Sequence, residues 1–286
     1  MSSAPRLRVA LISEVFVGTD SDARLRERLS HARDHGAQLA VLPELPLLAW
    51  APATRQARDH DAEAPHGPRQ QRLAAAAREV GIAVLGGTIV TVPATGHREN
   101  QAMVFDAEGQ EQGRYSKLHI PQEPGFWEAD HYQAGAGALP LVALHGVLFG
   151  IQICSDINRP QGSHILAARG ARLICHPRAT EPDYFDEWEL VMRSTAKTAN
   201  TWILSVNRPA EDGAALGGPS IAIDPTGQVV VRSEETFTFV DIDTARNEEA
   251  LGEYPGYLAV RSDLYGAAWS ETLPRPLLPP DDTKAS

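Results

Sequence analysis

The stretch LRVALISEVFVGTDSDARLRERLSHARDHGAQLAVLPE, residues 7–44, decides the fold. Leu7 to Ile12 is a short apolar run of strand length. Asp20 to His35 sets Leu25 and Leu29 at helical spacing and is stopped by Gly36, and Leu39 to Leu42 is a second apolar run ending in Pro43-Glu44. Strand, helix and strand in this order make a βαβ unit, the building block of an α/β protein. Glu44 then emerges at the carboxyl end of a buried strand, where open α/β sheets keep their ligand sites.

Working outward, the alternation continues. After a polar stretch rich in Pro, Arg and His, from about Ala49 to Pro68 and read as a long loop or lid, a helix is expected from Arg69 to Val80 and a strand from Ile82 to Val90. Hairpins follow at Gln101–Asp106 with Gln112–Lys117, and at Leu139–Leu144 with Val147–Ile153. Pro160–Arg169 reads as helix, Leu173–His176 as strand, Asp183–Ala199 as a long helix and Trp202–Val206 as strand. Strands at Ser220–Asp224, Val229–Arg232 and Phe237–Asp241 complete the pattern. The echo of strand, helix, strand in both halves suggests two sheets with helices outside. Beyond Asp243 the order weakens, and Pro274 to Ser286 reads as an extended, partner-clasping tail.

No linker divides the 286 residues, so a single domain is expected, with its core at about 7–242 and an extension over 243–286. The amino terminus lacks a signal-peptide apolar core, and no apolar run approaches the ~18 residues that span a bilayer. A cytoplasmic location is the default, with no membrane partner. A net charge of −11 disfavours nucleic acid, because phosphate binding needs clustered Lys and Arg. Two cysteines, Cys154 and Cys175, are too few for a disulfide framework, and Cys175 reads as a small buried residue. Lysine is scarce: Lys117, Lys197 and Lys284 stand among many arginines. A lone ammonium in an Arg-rich chain is a compact point charge that Arg does not supply.

Cys154 ends the run Val147-Leu-Phe-Gly-Ile-Gln-Ile-Cys154 and precedes a turn into a helix. A free thiol, with its pKa of about 8.5, is mostly protonated at neutral pH, so a nucleophilic cysteine needs a base or a charge beside it. Glu44 and Lys117, each at a strand end, supply both if their strands are neighbours. Singly, each has an ordinary alternative: a solvated or helix-capping carboxylate, a structural thiol, a surface lysine.

Taken in order, these segments resemble the nitrilase, or carbon-nitrogen hydrolase, superfamily from about Leu7 to about Asp241. The resemblance is carried by Ala40-Val-Leu-Pro-Glu44, Gly113-Arg-Tyr-Ser-Lys-Leu-His-Ile-Pro121 and Gly150-Ile-Gln-Ile-Cys-Ser-Asp156. Asn207-Arg208 and Gly218-Pro-Ser-Ile-Ala-Ile-Asp-Pro-Thr-Gly227 support it. It implies a four-layer α-β-β-α sandwich and a Glu-Lys-Cys triad at Glu44, Lys117 and Cys154. A second family glutamate maps onto Glu128 in Gly125-Phe-Trp-Glu128. It implies no metal or other cofactor, a small-molecule amide as substrate, and a homodimer or larger assembly with the helices from Pro160 and Asp183 at the interface.

Ser155-Asp156 stands where nitrilases in the strict sense carry Trp-Glu, so an amidase or carbamoylase branch is favoured, with a nitrile hydrolase, an acyltransferase or a non-catalytic small-molecule-binding member as the alternatives. Asn158-Arg159, Gln161 and Asp130-His131-Tyr132 also depart from the usual pattern, which points to a different specificity. Ser155 is expected to offer its N–H to an oxyanion. Arg159, with His176 or Arg178, is a candidate for binding an acidic or polar substrate group; pairing with Asp156, Glu181 or Asp183 is the alternative. Trp50 and Trp127 are candidate apolar walls or core. His31 and His35, at i and i+4, lack a third metal ligand nearby and read as a solvated face. Gly135-Ala-Gly137 lacks the context of a dinucleotide loop, and Gly218-Pro-Ser220 is not a nucleophile elbow.

Overall fold

The computed structural model describes residues 4–211 and 213–271. The first half supplies β1 (Arg6–Ile12), α1 (Ser21–Asp34), β2 (Leu39–Val41), β3 (Ala62–Glu63), α2 (Pro68–Val80), β4 (Ala83–Thr91), β5 (Arg98–Phe105) and β6 (Glu111–Ser116). The second supplies β7 (Leu141–Leu144), β8 (Val147–Ile151), α3 (Pro160–Ala168), β9 (Leu173–Arg178), α4 (Phe185–Ala199), β10 (Trp202–Asn207), β11 (Ser220–Ile223) and β12 (Val229–Ser233). The chain then returns in β13 (Phe237–Asp243) to the first sheet and continues in α5 (Ala245–Gly252) and α6 (Ser262–Ser270).

One sheet has the order β13-β1-β2-β4-β5-β6, with β3 attached to β4; the other has the order β12-β11-β10-β9-β8-β7. Each is built on three parallel strands, β1-β2-β4 and β8-β9-β10, flanked by antiparallel ones. Strand alternation explains why these sheets stack. In β1, Val9 and Leu11 face the second sheet, while Ala10 and Ile12 face the helices. β9 repeats this, with Leu173 and Cys175 inward and Ile174 outward. Cys175 is thus inter-sheet core. Three apolar layers result: α1 and α2 on the first sheet through Leu25, Leu29, Leu73 and Ala77, sheet on sheet, and α3 and α4 on the second through Leu166, Met192 and Ala196. Each fully buried Leu contributes about 1.5–3 kcal/mol by leaving water. The four-layer α-β-β-α sandwich is borne out.

The middle strands β2 and β9 are entered identically. Gly36 and Gly170 take φ of +83° and +105° after their helices, and the following residues bond back, Ala37 to Ala32 (3.0 Å) and Ala171 to Leu166 (3.0 Å). This is a glycine-terminated helix end that turns the chain directly into a strand.

Differences from the sequence reading are local. β8 stops at Ile151, because its pairing with β9 ends at Ile151 and Cys175 and the next free N–H, of Ile153, turns to the Asp156 carboxylate (3.1 Å). The Ala49–Pro68 stretch is a strap with short helical turns at Ala51–Ala53 and Asp59–Asp61, stitched to β4 through β3. Past Asp243 the chain is more ordered than expected. α5 is docked by a polar side chain, Asn247, which donates to the carbonyls of Arg172 (2.9 Å) and Asn200 (2.8 Å). α6 buries none of its residues. The tail from Pro274 to Ser286 lies outside the described residues. The His31 and His35 rings pack on Phe237 and Phe239 of β13, with centroids 4.3 and 5.3 Å apart.

Candidate active site

Three strand ends of the two sheets converge. Glu44 follows β2, Lys117 follows β6, and Cys154 follows β8 across the sandwich. Lys117 is held by its own backbone, donating N–H to Asn100 (2.9 Å) and accepting from Gly135 (2.9 Å). Its ammonium donates to Glu44 Oε1 at 2.8 Å and to Glu128 Oε2 at 2.5 Å. Lys117 and Glu128 are wholly buried and Glu44 is 2% exposed, so this is a desolvated carboxylate–ammonium–carboxylate array. Asn100 Nδ2 also donates to Glu44 Oε1 (2.7 Å), and the Tyr132 hydroxyl donates to Glu128 Oε2 (2.5 Å). Among the described residues, Glu44 Oε2 and Glu128 Oε1 are left without a hydrogen-bond partner.

Cys154 opens a short helical turn, Cys154–Asn158, with φ of +47°. A left-handed conformation at a non-glycine residue costs on the order of 1–3 kcal/mol and persists only where its surroundings impose it. Its Sγ lies 3.5 Å from the Ala179 carbonyl. The N–H of Ser155, at the start of the turn, donates to no group among the described residues.

The electrostatics follow from burial and the two carboxylates. Burial would lower the Lys117 pKa, but Glu128, Glu44 and Cys154 outweigh it and push it up, so the ammonium stays charged. Burial and then Glu44 raise Glu128 to about 7 against the opposing pull of Lys117. Burial and the Glu44 charge raise Cys154 well above the usual thiol range, with Lys117 opposing. The resting sulfur is therefore a thiol, to be deprotonated as it reacts. A thiol, an acceptor oxygen on Glu44, a fixed cation and an unpaired N–H form the equipment of acyl transfer.

A family model described as carbon-nitrogen hydrolase matches residues 10–250. The chain belongs to the carbon-nitrogen hydrolase family. It is 30% identical to omega-amidase NIT2 of Bos taurus, over 91% of this chain and 96% of that protein. It is also 30% identical to the chloroplastic omega-amidase of Arabidopsis thaliana, over 84% of this chain and 68% of that one. A carbon-nitrogen hydrolase from Helicobacter pylori G27 superposes with a TM-score of 0.81 at 20% identity, covering 94% of this chain and 100% of the other; the fold is shared.

In this carbon-nitrogen hydrolase, several side chains hold the site in ways the sequence reading did not assign to them. Arg208, wholly buried, donates to the carbonyls of Glu44 (2.9 Å), Leu45 (2.8 Å) and Leu48 (3.0 Å), and is paired with Glu211. It fixes the turn after β2, where Leu45 takes φ of +48°. Asp156 accepts from Tyr115 Oη (2.8 Å), the N–H groups of Leu118 (3.2 Å), His119 (3.0 Å) and Ile153 (3.1 Å), and His119 Nδ1 (2.8 Å). It ties the turn after Cys154 to the strand end that carries Lys117. Asn100 and Tyr132 bond the carboxylates directly, and only the strand pairing of β5 places Asn100 there.

The candidate substrate contacts fall into three groups. Arg159 is exposed and donates to its neighbour's carbonyl at Asn158 (3.1 Å). His176 and Arg178 are wholly buried, and Arg178 makes none of the ion pairs weighed for it. It donates to Ser205 Oγ (2.8 Å), Thr180 Oγ1 and the Pro219 carbonyl. Trp50 is 4% exposed, donates Nε1 to the Gly125 carbonyl (2.9 Å) and joins Leu45, Leu48, Ile89, Tyr132, Ala179 and Leu216 in an apolar cluster. Trp127 is half-buried beneath the Arg55 guanidinium, 3.7 Å from the ring centroid. Ser155 is partly exposed, and its hydroxyl bonds to the His119 carbonyl.

Proposed function

We propose that this carbon-nitrogen hydrolase is a thiol amidohydrolase that cleaves a small, linear, non-peptide amide or N-carbamoyl compound through a thioester on Cys154. The observation that carries the reading is the Lys117 ammonium bridging Glu44 and Glu128, which leaves Glu44 Oε2 as an unengaged acceptor. Glu44 takes the thiol proton as Sγ attacks the carbonyl carbon. The negative charge that develops on the carbonyl oxygen is met by the Lys117 ammonium and the Ser155 N–H. Glu44 returns the proton to the leaving nitrogen, the C–N bond breaks, and ammonia or an amine departs. Water then gives a proton to Glu44 and attacks the thioester, releasing the acid and restoring the thiol. Glu128, bonded to Lys117 and Tyr132, keeps the ammonium aimed. The apolar cluster that holds Trp50, Tyr132, Ala179 and Leu216 meets these groups at Tyr132, bonded to Glu128, and at Ala179, whose carbonyl lies 3.5 Å from Cys154 Sγ.

The names of the relatives support amide over nitrile chemistry. One neighbour, with 20% identity and a TM-score of 0.74, is a mutant of the amidase from Nesterenkonia sp. AN1 in complex with butyramide. Ammonia release from a panel of short amides, carbamoyl amino acids and nitriles tests the reading, together with mass spectrometry of an acyl adduct on Cys154. Activity confined to nitriles overturns it.

Ile165 on α3 and Leu190 on α4 are 48% and 70% exposed, and Leu258, Leu264 and Tyr265 around α6 are also exposed. A second copy of the chain is the cover this reading assigns to them, and a monomer in sedimentation equilibrium at micromolar concentration would exclude it. No described helix is long and apolar enough to cross a membrane. Both cysteines are free thiols, which fits a reducing cytoplasm.

A further inference from the structure

The carbonyl of Cys154 accepts a hydrogen bond from His176 Nε2 at 2.8 Å. His176 stands on β9, and its other nitrogen, Nδ1, is 2.9 Å from Ser205 Oγ on β10. Ser205 Oγ in turn accepts from Arg178 Nε at 2.8 Å. The proton positions follow from this chain. The Cys154 carbonyl can only accept, so Nε2 carries the ring proton and Nδ1 is an acceptor; the Ser205 hydroxyl therefore gives its proton to Nδ1 and accepts from the Arg178 guanidinium, which can only donate. His176 is neutral, held down to about 3 by burial and then by the Arg178 and Lys117 charges, against the bond to Cys154. Arg178 has no carboxylate within ion-pair distance among the described residues, and burial lowers it to about 9, so it keeps its charge at neutral pH.

The Cys154 carbonyl and the Ser155 N–H belong to one planar trans peptide, in which they point in opposite directions. Pinning the carbonyl to β9 therefore aims the N–H away from β9, and a donor on the carbonyl polarises the same peptide and strengthens that N–H. We propose that His176, locked in one tautomer by Ser205 and Arg178, is a positioning residue that aims and polarises the Ser155 N–H as an oxyanion donor. The inference rests on the reading of Cys154 as an acyl-enzyme nucleophile. It accounts for what Arg178 and His176 do, and it removes them from the list of groups that touch substrate.

Two reactions of the same sulfur separate this role from a merely structural one. Acylation by butyramide passes through an oxyanion; alkylation by iodoacetamide displaces iodide and forms none. In His176→Phe the rate of butyramide acylation is expected to fall about 10- to 100-fold with KM nearly unchanged, somewhat less than the loss of a whole oxyanion donor. Alkylation of Cys154, followed peptide by peptide, is expected to stay within about twofold of wild type, since it draws on none of that stabilisation. His176→Gln, which can place an N–H near the Nε2 position, should recover most of the acylation rate. Ser205→Ala, which frees the tautomer without touching Cys154, should lower acylation in the same direction. Acylation and alkylation falling together in both His176→Phe and Ser205→Ala overturn the inference, as does acylation at the wild-type rate. A wild-type protein that forms no butyryl adduct on Cys154 removes the acyl-enzyme reading itself, a different failure visible before any variant is made.

Discussion

The middle strands of the two sheets carry nearly one sentence written twice. Gly36-Ala-Gln-Leu-Ala-Val-Leu-Pro-Glu44 leads through β2, and Gly170-Ala-Arg-Leu-Ile-Cys-His-Pro-Arg178 forms β9. Both begin at a left-handed glycine, both pair in parallel with a strand on either side, and Leu39 and Leu173 open their registers against Val9 and Phe149. The differences that bear on the site are at the strand ends, Leu42 against His176 and Glu44 against Arg178. In the first half Leu42 fills the layer under the helices and Glu44 keeps one carboxylate oxygen unpartnered beside Lys117. In the second, His176 reaches the backbone of Cys154 and Arg178 commits three donors to protein acceptors. A near-symmetric frame thus carries an asymmetric site: one strand end is chemically open, and its counterpart is saturated.

The sharpest way to break this comparison is to neutralise both strand ends. Glu44→Gln keeps the bonds to Lys117 and Asn100 in shape but removes the base, and kcat for amide hydrolysis should fall by about 10²- to 10⁴-fold, the usual worth of a positioned general base. Arg178→Met should cost less, because His176 still reaches the Cys154 carbonyl. Equal losses in steady-state kinetics would mean that both ends take part directly. Next in size is the tie between the halves. Asp156→Ala strands five donors from β6, its exit and the Cys154 turn, and urea unfolding should show a loss of about 3 kcal/mol or more. Stability unchanged within error would show that the sheets are joined by their apolar faces alone.

Part of this was legible in the sequence, for a physical reason. Alternating and continuous apolar runs follow from layers buried on both sides, so α1 to α4 and every strand except the two-residue β3 emerged with boundaries shifted by at most three residues. α5 was missed because it is anchored by Asn247 rather than by an apolar stripe. Glu44, Lys117, Glu128 and Cys154 stood out because each closes a recognisable segment. Asn100, Tyr132, Arg208 and the His176 relay did not, since their partners lie on other strands and no spacing encodes them. Tyr132 carried a faint signal as one of the residues departing from the family pattern, and Asn207-Arg208 as a motif without an assigned role. Asp156 was read as a branch marker, and its five donors became visible only when β6 and the Cys154 turn were brought together.

A smaller effect sharpens the electrostatic side of the comparison. Glu128, raised to about 7 by burial and the Glu44 charge, should place an acid limb with an apparent pKa near 7 on the kcat/KM profile, activity rising as the carboxylate ionises and steadies Lys117. Glu128→Gln should remove that limb and lower activity at its plateau. The same group affects stability with the opposite sign. Its native carboxyl holds a proton more tightly than the unfolded one, so its contribution to stability falls as pH rises from about 4.5 through about 7. A limb that persists in Glu128→Gln would assign the ionisation to another group of the array.

The smallest effect tests whether the repeated frame is a repeat in energy as well as in form. Gly36→Ala and Gly170→Ala each place a Cβ in ordinary contact, 3.6 Å from Arg8 Cδ and from Leu148 Cδ1, so crowding is slight and the cost is that of the backbone. A left-handed φ costs an alanine about 1–2 kcal/mol relative to glycine. Gly170, at +105°, lies farther from the region an alanine tolerates than Gly36, at +83°, so Gly170→Ala should be the more destabilising of the two. Neither glycine touches Glu44, Lys117 or Cys154, so kcat should be the same in both variants. If Gly170→Ala lowered kcat while Gly36→Ala did not, the entry to β9 would control the aim of His176, and the saturated half would be coupled to the chemistry through its backbone as well as its side chains.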